Sequence, residues 1–273
     1  MRTIYSLLIY TSISIIYACS EKQPVKEVII ERDTVIVTET PPRDSFMVYG
    51  HIEFPSKDGL LITANSYEYN VPNEPYIILC HQAGYSRGEY RETAKELNTL
   101  GYNCLAIDLR SGKECNKMIN ETAARATDNK LPANYADAEQ DILAAIDYVH
   151  AKTGKNVILL GSSYSASLVL KIATENDKVS AAIAFSPGEY IPGTNIAQNI
   201  SDLNKPVFIT SSKKEAKEVS DFIKNVKSTI KEHFIPAGQG EHGSKALWTT
   251  TPNHAEYWDA LKAFLNKINP KIH

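Results

Sequence analysis

The sequence predicts an α/β domain built on a mostly parallel, twisted sheet of about eight strands, with helices on both faces and a minimal lid. Three observations carry this. Short continuous apolar runs such as NVILL, VSAAIAF and PVFIT read as buried parallel strands, and they alternate with stretches of helical period. An antiparallel pair precedes the alternation. One apolar run passes directly through Gly161-Ser162-Ser163-Tyr164-Ser165 into a helix. With 43% hydrophobic and 22% charged residues, the 273-residue chain is neither disordered nor fibrous, and it can bury a full α/β core. Its net charge of −3 leaves no basic excess to neutralise phosphates, so no nucleic-acid partner is expected.

The order of elements starts with a segment outside the domain. Residues 1–18 place Arg2 before an apolar stretch that ends at Ala18-Cys19-Ser20, the pattern of a secretory signal. A Cys after a small residue at that point resembles a bacterial lipoprotein lipobox, with Tyr17 departing from the small residue usual two positions before it. The resemblance implies lipidation of Cys19 and a membrane anchor at the bacterial envelope; a plain signal peptide or an uncleaved anchor is the alternative. Residues 19–45 are charged and carry Pro24, Pro41 and Pro42, and they read as a tether. The pieces Val28–Ile30 and Val35–Val37 have the composition of a short edge strand. The domain is expected over residues 46–273.

Within it, Met47–Phe54 and Leu60–Tyr69 alternate and flank Pro-Ser-Lys-Asp-Gly, a hairpin signal. Tyr76–Cys80 is a buried strand. Glu89–Leu100 has helical spacing and stops at Gly101, and Asn103–Leu109 is again a strand. Residues 111–134 read as one long irregular loop at a strand C-terminal edge, where ligands bind in such sheets. Ala133–Ala151 is a helix with Ile142, Ile146 and Val149 on one face. Then follow strand Asn156–Leu160, helix Ser165–Thr174, strand Val179–Phe185, strand Pro206–Thr210, helix Ala216–Val226, strand His233–Pro236 and a closing amphipathic helix His254–Ile268. Of the four cysteines, Cys80 and Cys104 lie in apolar runs and read as buried thiols. Cys115 lies in a polar loop, where an oxidising compartment would allow a bridge to Cys104. No CxxC pair or His-Cys spacing marks a metal site, and no cofactor is implied.

Strand, turn and helix at Asn156–Leu170 have the form of a nucleophile elbow. The tight turn needs small residues two positions either side of the nucleophile, here Ser163, whose hydroxyl is lifted above the sheet edge at a helix N-terminus. Ser165 replaces the usual last Gly of G-x-S-x-G. On these residues the chain resembles the α/β-hydrolase superfamily, and within it the small dienelactone-hydrolase-like and esterase-like members. The resemblance implies an oxyanion loop in Cys80-His81-Gln82-Ala83-Gly84, with Gln82 in place of a Gly, so that the Ala83 and Tyr164 N–H groups would face the oxyanion; His81 reads instead as a structural histidine bonding loop backbone. It implies an acid after Pro206–Thr210, where Glu215 stands, with Glu189 in Ser186-Pro187-Gly188-Glu189 as the rival. It implies a base in the Gly-rich loop ending Glu241-His242-Gly243. His233 lies within a strand and His254 at a helix start, so neither fits as well; His51, His150 and His273 read as structural or surface residues.

The order Ser163, acid, His242 is the superfamily's order. The implied activity is a serine hydrolase that cleaves small or exposed carboxylic esters through an acyl-enzyme, on a small-molecule or polysaccharide-linked substrate. Peptidase activity is a weaker option. The rival of another class is an inactive envelope protein that keeps the fold for binding, suggested by Gln82, Ser165 and Glu215. A dehalogenase would need an Asp where Ser163 stands.

Overall fold

The computed structural model describes residues 25–31, 34–40, 47–69 and 74–270. The chain divides into two units, residues 1–45 and 46–273. The expected signal segment and Cys19 lie outside the described residues. In the first unit, β1 (Val25–Glu31) and β2 (Thr34–Thr40) pair antiparallel, with Val28 opposite Val37. The apolar pieces of the expected tether therefore form a two-stranded ladder with each other. Both runs are rich in β-branched residues and lie two residues apart in sequence, which favours local pairing.

In the second unit, β3 (Met47–Pro55) and β4 (Leu61–Tyr69) form the expected antiparallel hairpin. They lead into β5 (Tyr76–Cys80) and α1 (Arg91–Thr99), then β6 (Asn103–Ile107). Next come the small hairpin β7 (Glu114–Cys115) and β8 (Met118–Ile119), α2 (Glu121–Asp128) and α3 (Glu139–Thr153). The second half holds β9 (Val157–Ser162), α4 (Tyr164–Glu175), β10 (Val179–Phe185), α5 (Ile196–Asn199), β11 (Val207–Thr210), α6 (Ala216–Phe222), β12 (Lys231–Phe234) and α7 (His254–Ile268). The eight-stranded sheet runs β12-β11-β10-β9-β5-β6-β4-β3. Its six strands from β12 to β6 are mutually parallel. This is the α/β-hydrolase fold expected from the alternation of runs.

Period-two alternation sends each strand's side chains into two separate cores. Ile78 and Cys80 of β5 and Leu159 of β9 meet Ile142, Ile146 and Val149 of α3 and Leu168 and Leu170 of α4 on one face. Ile77 and Leu79 of β5 and Leu160 of β9 meet Leu97 of α1 and Leu261, Phe264 and Leu265 of α7 on the other. Ile142, Ile146 and Val149 are completely buried, so truncating any one of the two isoleucines to Ala costs about 2–5 kcal/mol. Gly154 ends α3 in the left-handed conformation, its N–H bonded to His150 O.

The structure departs from the sequence reading at four places. Residues 111–134 are not one irregular loop, because they contain β7, β8 and α2. Asn120 caps α2 by accepting the Ala123 N–H at 2.8 Å, and Thr122, Ala123 and Ala126 are buried. The last strand is Lys231–Phe234 rather than His233–Pro236. Its ladder with β11 runs from Val207–Lys231 to Thr210–Phe234, and Pro236 has no N–H to extend it. The turns Arg87–Tyr90 and Ala136–Ala138 are 3-10 helices that precede α1 and α3. Cys80, Cys104 and Cys115 are buried free thiols, so the Cys104–Cys115 bridge is not made. Cys104 sits in the sheet core, while Cys115 sits in the small hairpin.

Between β10 and β11 the chain holds only α5 and a 3-10 turn at Ile200–Asp202, which leaves a minimal lid. No helix among the described residues is long and apolar enough to cross a membrane.

Candidate active site

The C-terminal ends of β5, β9, β10 and β11 carry the polar residues that the two cores exclude. At the end of β9, Ser163 adopts φ 59° and ψ −123°, a strained conformation for any residue with a Cβ. The neighbouring bonds hold it there. Its N–H donates to Phe185 O at 2.8 Å, and its carbonyl accepts from Ala166 N at 2.9 Å. Gly161 has to be glycine, since a Cβ there would lie 2.5 Å from Ser165 O and 2.7 Å from Ala166 Cα. Ser165, the departure from the usual motif, has a use. Its hydroxyl accepts the Ser162 N–H at 2.9 Å and lies 2.8 Å from Cys80 O, which stitches β5 to the elbow.

Three side chains from distant segments converge on Ser163. His242 Nε2 lies 2.9 Å from Ser163 Oγ, and His242 Nδ1 lies 2.5 Å from Glu215 Oε1. The tautomer follows from this geometry. Nδ1 carries the proton toward the carboxylate, leaving Nε2 to accept the serine proton. Glu215 stands just before α6, and its other oxygen accepts from Ser186 Oγ at 3.0 Å, Ser212 N at 3.1 Å and Ser212 Oγ at 2.6 Å. Burial by itself would raise the Glu215 carboxyl, but the bonds from His242, Ser212 and Ser186 outweigh it and hold it at about 2. The same bond raises His242 above the ordinary histidine value, against its partial burial. Glu215 is therefore a fixed negative charge that orients and stabilises an imidazolium.

Gly243, next to His242, has φ 70°, and a Cβ there would lie 2.6 Å from Ser162 Oγ and 2.7 Å from Gln82 Oε1. The His-Gly pair thus lets the base loop close onto the elbow. The Gly243 N–H also donates to Ser186 Oγ at 3.0 Å.

Glu189, the rival acid, is engaged elsewhere. Its two oxygens accept the Ile196 and Ala197 N–H groups, each at 2.8 Å, at the start of α5. His81 is completely buried. Its Nδ1 lies 2.8 Å from Gln82 O, and its Nε2 accepts the Leu109 N–H at 2.9 Å. Burial pushes His81 down to about 4, against those two backbone bonds, so it is neutral and ties the ends of β5 and β6 together. Among the described residues neither the Ala83 nor the Tyr164 N–H has a protein acceptor. Tyr164 opens α4, where the first N–H groups have no carbonyl one turn earlier and the helix dipole favours negative charge. Its ring stacks on Tyr135 at 4.3 Å.

The sequence reading missed Ser186 and Ser212, which hold Glu215. One signal for both was present. The strands β9, β10 and β11 each run into serine at the C-terminal edge of the sheet, at Ser162, Ser186 and Ser211-Ser212.

A model of the dienelactone hydrolase family matches residues 62–270. Solved structures similar to this one include an esterase from Pyrococcus furiosus, at 17% identity, TM-score 0.63, over 91% of this chain and 98% of that one. They include a dienelactone hydrolase from Anabaena variabilis, at 15% identity, TM-score 0.61, over 80% of this chain and 96% of that one. They also include an acylaminoacyl peptidase from Pyrococcus horikoshii, at 16% identity, TM-score 0.59, over 81% of this chain and 41% of that one. No curated protein matches by sequence. At these identities the structural likeness establishes the fold.

Proposed function

The chain belongs to the dienelactone hydrolase family, and from that premise we propose that it is a serine hydrolase cleaving carboxylic esters of small or exposed acyl groups. The observation that carries the reading is the continuous hydrogen-bonded line Ser163–His242–Glu215 on a strained elbow. In this mechanism His242 Nε2 takes the Ser163 proton as Oγ attacks the ester carbonyl carbon. The Ala83 and Tyr164 N–H groups stabilise the tetrahedral oxyanion. His242 then returns the proton to the leaving alkoxide as the C–O bond breaks, giving an acyl-enzyme and an alcohol. A water deprotonated by His242 attacks the acyl carbon and releases the carboxylic acid, restoring Ser163. Glu215 keeps the imidazole in the productive tautomer throughout. The short connections over the site and the esterases among the similar structures support an ester rather than a peptide bond. The substrate would be a small or polysaccharide-linked ester.

The test is covalent labelling of purified protein with a fluorophosphonate, mapped by mass spectrometry. An adduct on Ser163, absent in Ser163→Ala, is expected, together with turnover of p-nitrophenyl acetate. A folded protein that takes no label would overturn the reading in favour of a binding protein that keeps the fold.

We also propose that Cys19 is lipidated and anchors the protein at a bacterial envelope, supported by Arg2, the apolar run and Ala18-Cys19-Ser20. Replacing Cys19 with Ser should move the protein from the membrane fraction to the soluble one. Retention in the membrane fraction would contradict lipid anchoring there.

A further inference from the structure

Glu89 is a fully buried carboxyl in the 3-10 turn before α1, and no step above uses it. Its Oε2 accepts the N–H of Gln82 at 2.8 Å. Gln82 directly precedes Ala83, one of the two oxyanion donors. Glu89 Oε1 accepts the hydroxyl of Ser244 at 2.5 Å. Ser244 lies two residues after His242, and its own N–H donates to Ser162 Oγ at 2.9 Å. Ser162 directly precedes Ser163. The Glu89 carbonyl accepts the Trp248 indole N–H at 3.0 Å, which pins the turn to the segment after the base loop. One carboxyl thus meets the oxyanion loop and the base loop directly and the elbow through Ser244, three segments that are otherwise far apart in sequence.

Resting on the hydrolase reading above, we propose that Glu89 is a positioning residue. It clamps the oxyanion loop against the nucleophile and the base, and so sets the rate of acyl transfer rather than the affinity for substrate. An oxyanion donor is effective only when it is held near 3 Å from where the charge develops, and a shift of about 1 Å in a supporting loop costs on the order of a hundredfold in rate. The Glu89 bond to the Gln82 N–H supplies such a restraint on this loop. The fold retains the carboxyl at a cost: burial pushes it up to about 7, against the bonds from Ser244 and Gln82 and the charge of Lys245.

The experiment compares the full chain with Glu89→Ala and Glu89→Gln in p-nitrophenyl acetate hydrolysis, with active sites counted by fluorophosphonate stoichiometry. Glu89→Ala is expected to lower kcat about a hundredfold while KM changes less than about threefold. Glu89→Gln keeps an acceptor for Gln82 N–H and a donor for Ser244, and it should recover kcat to within about tenfold of the parent. A folded Glu89→Ala with unchanged kcat, a loss confined to KM, or a loss that Gln does not recover would each overturn the proposal. If Glu89→Ala does not fold, Ser244→Ala cuts the same link from the other end. It should lower kcat about tenfold at constant KM, and no fall would overturn the clamp. If the parent protein neither turns over ester nor takes label, the hydrolase reading fails on its own. Amide hydrogen exchange then decides the clamp: protection at Gln82 and Ser244 falling together in Ser244→Ala supports it, and unchanged protection overturns it.

Discussion

Two charged clusters sit at the same edge of the sheet and are built to opposite ends. After β6, Arg110 is completely buried and meets Asp141 at 2.7 Å and Asp58 at 2.7 Å, with further bonds from its Nε and its own N–H to Asp141. Next to it, Arg87 bridges Asp108 and Glu121. After β9, β11 and β12, the Ser163–His242–Glu215 line keeps the His242 side chain 40% exposed and Glu215 23% exposed. In the first cluster both arginines, Asp108 and Asp141 are buried and ion-paired, and only the outer carboxylates Asp58 and Glu121 reach the surface, so the arrangement holds loops in place. In the second, the acid is fixed but the imidazole reaches the surface, with one nitrogen on the serine. The difference between a brace and a proton-handling arrangement is therefore the imidazole, a group that titrates near neutral pH and has one nitrogen on a hydroxyl, since both clusters are hydrogen-bonded and partly buried.

The comparison can be broken first at Glu215. Glu215→Gln should lower kcat for ester hydrolysis about 10³- to 10⁴-fold while the melting temperature moves by only a few degrees, because the amide still fits among Ser186, Ser212 and His242 but no longer fixes the tautomer. The pH profile carries the sign. His242 must be neutral to accept the serine proton, and Glu215 raises its pKa. Activity of the parent should therefore fall as pH drops through a value above 6.5, and Glu215→Gln should move that limb to lower pH. A limb that stays put would detach Glu215 from His242 in solution. The stability linkage runs the other way for the acid. Its pKa is depressed to about 2, so its contribution is complete above about pH 4.5 and fades only as pH falls toward 2.

Arg110→Ala probes the brace, with the opposite signature. It strands the Asp141 carboxylate in the core and should cost about 3–5 kcal/mol of stability, read by urea titration, while kcat per labelled active site changes little. A large kcat loss with stability intact would mean that the two clusters are not separate in function. The smallest effect is expected at Glu189. Glu189→Ala removes the cap of a single helical turn and should cost about 1 kcal/mol, with kcat within about twofold of the parent. A loss comparable to that of Glu215→Gln would restore Glu189 as the acid.

Much of this was legible in the chain because it is local. Strand and helix order follow from hydrophobic period, and the elbow follows from small residues around Ser163 with a strand before and a helix after. The His242-Gly243 pair is legible for the same reason, since the glycine is required by a close approach that any Cβ would block. Helix α2 was also written locally, as Asn120 followed by Glu121 and an Ala-rich run, but the surrounding polar stretch masked it.

The sequence by itself determined the fold and marked Ser163 and His242 as the candidate nucleophile and base, since each depends on residues within a few positions of one another. The tertiary structure alone decided which acid reaches His242. It also decided what Ser165 does in place of glycine and that Glu89 stands behind all three site loops. Those assignments depend on which atoms come within about 3 Å across long stretches of chain: 27 residues separate Glu215 from His242, and 155 separate Glu89 from Ser244. Hydrogen bonds are short-ranged and directional, so the sequence put Glu215 first and still left Glu189 as a rival. Once the chain is folded, one is spent on a helix end and the other on an imidazole.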